Sequence, residues 1–100
     1  MTNTIYTIEE IKATVKPIAD KYNVESIYLF GSYARGDANE NSDLDFLVFG
    51  GRNFKLTNIF AIAEDLRMAF QRQVDVFEIS EINTDSAFYS NIINERLSVA

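Results

Sequence analysis

The residues best placed to do chemistry lie in one short stretch, Leu29 to Phe49, which reads LFGSYARGDANENSDLDFLVF. Asp43 and Asp45 lead into an apolar run, Phe46 to Phe49. Read as a strand with a side-chain period of two, that segment puts both carboxylates on one face. Like charges on one face repel, and Asp is depleted in strands, so such a pair is kept most simply with a cation between its members. Hard divalent ions take oxygen ligands, and Mg²⁺ commonly takes one or two carboxylates together with substrate phosphates. Gly31-Ser32 supplies the complementary half. A Gly after a strand lets the backbone approach a phosphate, and a Ser hydroxyl with the N–H groups of a helix start can hold it. The competing reading is an acidic surface loop that closes a hairpin.

The elements that must position these residues follow from periodicity. Thr7-Ile8-Glu9-Glu10 is a capping box, and Ile8, Ile11, Val15, Ile18, Ala19 and Tyr22 recur at helical spacing, with Pro17 expected to kink the helix. Val24 to Phe30 reads as a first strand, Ser32 to Arg35 as a short helix, and the segment 36–41 as loop. Leu44 to Phe49 is a second strand ended by Gly50-Gly51, and Leu56, Ile59, Phe60, Ala63, Leu66 and Phe70 mark a helix over 55–71. Gln73 to Ile79 is a third strand, and a last helix, capped by Thr84 or Asp85, carries Phe88, Ile92, Ile93 and Leu97. The expected fold is α/β, a small mixed sheet of three strands with helices packed on one side, in a single domain over 1–100.

Asp75, between Val74 and Val76, is a third acidic candidate. If its strand lies beside Asp43 to Val48, three carboxylates converge; alternatively it is an edge-strand Asp facing water. Glu78 falls on the opposite face and is expected to meet solvent. Arg35 either binds phosphate or an acceptor carbonyl, or pairs with Asp37 or Glu40. Ser42 is expected to fix the loop leading into the second strand, and Tyr33 and Phe49 either flank a base or simply pack.

Composition narrows the chemistry. In 100 residues there are no Cys and no His, which removes disulfides, thiol nucleophiles, the usual general base and the commonest zinc ligand. An apolar fraction of 47% fits a packed globule, and no apolar run is long enough to span a bilayer. No secretory signal is visible, so a cytoplasmic setting is expected. The net charge of −6, with nine scattered basic residues, argues against long nucleic acid as a partner. A single nucleotide brought with its metal stays compatible.

Gly31-Ser32, ten intervening residues and Asp43-x-Asp45 resemble the signature of the DNA-polymerase-β-like nucleotidyltransferases. Ala34, Arg35, Gly36 and Ser42 extend the likeness to the minimal nucleotidyltransferase (MNT) branch. The resemblance implies the nucleotidyltransferase fold and transfer of a nucleoside monophosphate assisted by two Mg²⁺ ions, or Mn²⁺. It implies metal binding by Asp43, Asp45 and Asp75, and nucleotide binding by Gly31, Ser32, Arg35 and Ser42. It also implies a role as antitoxin of a HEPN ribonuclease toxin, with AMP passing from ATP to a hydroxyl of that partner, in a homo- or hetero-oligomer. Two rivals stay open: a non-catalytic antitoxin that covers its partner, and a small-molecule nucleotidyltransferase. With three strands and few helices, the catalytic face is expected to be open.

Overall fold

The computed structural model describes residues 5–100. Helix α1 (Ile8–Tyr22) starts at the expected capping box: Thr7 Oγ1 accepts the Glu10 N–H at 3.1 Å, and Glu10 Oε1 accepts the Thr7 N–H at 2.8 Å. The helix runs on through Pro17 and ends on Asn23 in the left-handed region. Strand β1 (Ser26–Phe30), the four-residue helix α2 (Ser32–Arg35), β2 (Leu44–Phe49), α3 (Asn58–Phe70) and β3 (Val74–Glu78) follow. A 3₁₀ turn (Ile79–Glu81), α4 (Ala87–Glu95) and a two-residue strand β4 (Leu97–Ser98) complete the chain.

The sheet is mixed, as expected, but it has four strands in the order β3-β2-β1-β4. β1 is antiparallel to β2 and β4, and β2 is parallel to β3. The extra strand was hidden in what periodicity assigns to the last helix: α4 stops at Glu95, and Leu97 pairs with Leu29. The helix is capped by Ser86, whose hydroxyl accepts the Tyr89 N–H at 3.1 Å, rather than by Thr84 or Asp85.

Alternation divides the sheet into two faces. Ile27, Leu29, Leu44, Phe46, Val48 and Val74 point to the face covered by α1 and α3, whose Ile11, Val15, Ile62, Leu66 and Phe70 complete the larger core. Each such apolar side chain stabilises the fold by about 1.5–3 kcal/mol on burial. α3 is shorter than expected, and Leu56 and Phe60 do not join its buried stripe: they are 52% and 78% exposed. Phe60 lies about 100° round the helix from Ile59, so both cannot face the sheet. The opposite face carries Phe30 and Leu47 with Phe77 beside them, and α4 lies on it through Ile92. Phe88 of α4 meets the rings of Phe30 and Phe77 edge-on, with centroids 5.9 and 5.5 Å away. The two long helices therefore share one side, while α4 covers part of the face expected to be open.

Candidate active site

Gly31 follows β1 directly, at φ +79°, and a Cβ there would fall on Oδ2 of Asp45. Only a glycine can hold that backbone so close to the carboxylate. α2 starts at the next residue, the Arg35 N–H bonds the Gly31 carbonyl at 3.0 Å, and Gly36 closes the helix in the left-handed region. Gly31 occupies the N-cap place and Ser32 is the first helical residue, so Ser32 is not the cap.

In β2, Asp45 sits opposite Phe30 on one side and directly in register with Asp75 of β3 on the other. Parallel, in-register pairing puts the Asp45 and Asp75 side chains next to each other on the face that α4 partly covers. Asp43 lies just before β2, exposed, and adds its charge to the pair. Burial, then the charges of Asp75 and Asp43, push the Asp45 carboxyl up to about 6. Among the described residues, no three His, Cys, Asp or Glu side chains already close round a point that could hold an ion.

The remaining candidates sort as follows. The Ser42 hydroxyl accepts the Asn39 N–H at 2.8 Å, fixing the loop before β2. Arg35 pairs with Asp37 at 3.3 Å and, unexpectedly, with Glu95 at 3.2 Å rather than with Glu40. Tyr33 is a core residue, and Phe49 packs edge-on against Tyr28. Glu78 contradicts the expectation of solvent exposure: it is 5% exposed and accepts the Gly50 N–H at 3.1 Å and the Ser80 N–H at 2.9 Å. Burial works to raise its carboxyl, but bonds from Ser80 and Gly50 outweigh burial and hold it below the ordinary glutamate value.

Two residues near the site escape a sequence reading. Arg72 donates to the Tyr33 hydroxyl at 2.9 Å and the Ser42 carbonyl at 3.2 Å, tying α2 to the start of β2. Glu95, the last residue of α4, accepts the Gly31 N–H at 2.9 Å and lends its charge to the field at Asp45. Its only sequence signal is an acid placed, against the helix dipole, at a helix C-terminus.

Comparison with known proteins identifies the family and the fold. The family model described as "Polymerase beta, Nucleotidyltransferase" matches residues 13–99. "Putative protein adenylyltransferase MJ0435" of Methanocaldococcus jannaschii is 34% identical over 92 residues, covering 92% of this chain and 97% of that protein. "Protein adenylyltransferase MntA" of Thermococcus cleftensis is 32% identical, covering 81% of this chain and 86% of that one. The fold is shared with a toxin–antitoxin crystal structure containing AMP-PNP, at TM-score 0.75 and 21% identity over 89% of this chain and 72% of that chain. It is also shared with the complex of a tri-AMPylated Shewanella oneidensis HEPN toxin and an MNT antitoxin, at TM-score 0.71 and 17% identity over 94% of this chain and 72% of that chain. A glycine turn against paired carboxylates, on this sheet and within this match, makes the chain a member of the polymerase-beta nucleotidyltransferase family.

Proposed function

We propose that this protein moves AMP from ATP to a hydroxyl of a partner protein, and that the partner is a HEPN-type toxin. The observation that carries the reading is the in-register Asp45–Asp75 pair beside the Gly31 turn, in a chain of this family. The adenylyltransferase names of the relatives and the toxin complexes among the fold neighbours support the same choice.

Asp43, Asp45 and Asp75 would hold a divalent cation, Mg²⁺ or Mn²⁺. Their donors are all hard oxygens, and a cation would offset both the burial and the neighbouring charges of Asp75 and Asp43 that raise the Asp45 carboxyl. Exposed Asp43 has the rotamer freedom to join its neighbours. When bound, such ions supply charge neutralisation at the phosphates and Lewis acidity toward the attacking oxygen.

The chain's own residues do the rest. Gly31, Ser32 and Arg35 present backbone N–H, hydroxyl and guanidinium groups for the β- and γ-phosphates, while Ser42 keeps the loop before Asp43 in place. The acceptor oxygen forms a bond to the α-phosphorus, the bond to the β-phosphate oxygen breaks, and pyrophosphate leaves. The proton of the acceptor hydroxyl passes to a carboxylate, and Asp75, next to Asp45 on the same face, is assigned to take it. A tyrosine acceptor, with a pKa of about 10, requires that help in a chain without His.

The test is to incubate the protein with its partner, ATP and Mg²⁺, reading transfer by intact mass and nucleotide binding by calorimetry. Wild type should add AMP to the partner. Asp75→Asn should abolish transfer while leaving nucleotide binding largely intact, and Asp45→Asn should damage both. Transfer by Asp75→Asn at the wild-type rate would overturn the role given to Asp75. A partner bound tightly but left unmodified by wild type would make covering, rather than catalysis, the protein's action.

A further inference from the structure

The phosphate turn is already engaged by an anion of the chain itself. The Glu95 carboxylate accepts the Gly31 N–H at 2.9 Å, and Arg35 Nη1 donates to Glu95 Oε1 at 3.3 Å and to Oε2 at 3.2 Å. One carboxylate thus takes both a backbone N–H and a guanidinium, the two kinds of donor that bind phosphate oxygens most strongly. Its side chain is 21% exposed, and it comes from the far end of the chain, at the point where α4 gives way to β4. The contact brings a further negative charge into a site where Asp45 already carries its neighbours' repulsion.

A carboxylate so placed acts in one of two ways. As a brace it would hold the turn open for nucleotide, and its loss would weaken binding. As a phosphate mimic it would compete with the incoming nucleotide, and its loss would strengthen binding. The chemistry favours the second, because a triphosphate approaching Gly31 and Arg35 meets both the repulsion of Glu95 and donors already engaged. We propose that Glu95 is an internal competitor for the triphosphate: nucleotide binding requires its release from Gly31 and Arg35, which loosens the end of α4 and the short β4. This rests on the assignment of Gly31 and Arg35 to phosphate binding made above. Apparent affinity is then reduced by the fraction of molecules in which Glu95 is engaged.

The experiment measures binding of AMP-PNP with Mg²⁺ by calorimetry to wild type, Glu95→Gln and Glu95→Ala, with thermal unfolding of each free protein. Expected are a Kd lower by about fivefold or more in both variants and a lower melting temperature without nucleotide, a pairing that a brace does not give. Hydrogen exchange of the wild type provides a measurement that needs no variant. On adding AMP-PNP and Mg²⁺, the Arg96 and Val99 amides, bonded at 2.8 Å to Ile92 and 3.0 Å to Ile27, should exchange faster. Wild type that binds, with variants that bind equally or more weakly, overturns the competitor role and leaves the phosphate assignment standing. Slower exchange at Arg96 and Val99 on binding overturns it as well. Failure of all three proteins to bind removes both.

Discussion

Glu78, buried, and Asp45, half-buried, sit on neighbouring strands, and they respond in opposite directions. Glu78 has donors all round it: the N–H groups of Gly50 and Ser80, and the Ser80 hydroxyl in a short contact. These hold its carboxyl down. Asp45 has acids round it instead, and burial, then the charges of Asp75 and Asp43, lift its carboxyl to about 6. The lesson is that burial alone does not mark a functional acid. A satisfied carboxylate stabilises the fold it sits in, whereas one surrounded by like charge destabilises it and awaits a ligand.

The largest effect should come from Asp45→Asn. Transfer should fall by about a thousandfold, the scale of losing one preorganised charged group at a reacting phosphate. Yet the protein free of metal should melt higher than wild type, because a repelled carboxylate has gone. Transfer by mass and melting in EDTA check both halves. Lower stability together with lost activity would mean that Asp45 is held like Glu78 after all.

Glu78→Gln should do the reverse. Its amide turns a donor toward groups that themselves donate, at a cost of about 2 kcal/mol. Urea unfolding should register that loss, while the variant that remains folded transfers at the wild-type rate per molecule. A variant that unfolds as wild type does would place the strength of this corner elsewhere.

The smallest effect is in pH. An Asp45 carboxyl at about 6 when folded, against an ordinary 3.8, binds its proton more tightly in the native state. Its contribution is most favourable below 3.8 and declines as pH rises through about 6. Because Asp45 is only partly buried, the loss should be on the order of 1–2 kcal/mol. Glu78 runs the other way: its contribution is present above the ordinary glutamate value and fades as acid carries the pH down through its lowered one. Unfolding free energies in EDTA should therefore pass through a maximum in mildly acidic solution, and millimolar Mg²⁺ should flatten the descent toward neutrality. A curve in EDTA that rises steadily to pH 7 would contradict the reading of Asp45.

What the sequence made legible was local. The Thr7–Glu10 box, the Gly31 turn and the face that Asp45 and Asp75 each take on their own strands follow from spacings within a few residues or from the period of a strand, while the pairing of β2 with β3 that joins them was left open. What it hid was contact over distance. Glu95 meets Gly31 across 64 positions, and the two exposed residues of β4 give no alternation to read. Glu78 shows how far the strand period reaches: it assigns the face correctly but cannot say that Gly50 will close over it. Phe60 is apolar and near the right spacing, yet it faces water, because the stripe of α3 is no wider than its contact with the sheet.

β3 forms one margin of the sheet, with no further strand beside it among the described residues. Along that margin runs a cavity of about 360 Å³ walled in part by Leu56, Phe60, Val76 and Phe77, with Asp75 among its lining residues. An unpaired strand beside apolar side chains is a template for unwanted addition of other chains, and a charge on the strand is a common protection against it. Asp75 is such a charge, so beside the proton-accepting role proposed for it, it should also hold other chains off this margin. Asp75→Asn, made to probe the reaction, should also scatter more light at high concentration and on storage. A preparation of that variant has to be shown monodisperse before its lost turnover is credited to the missing acid.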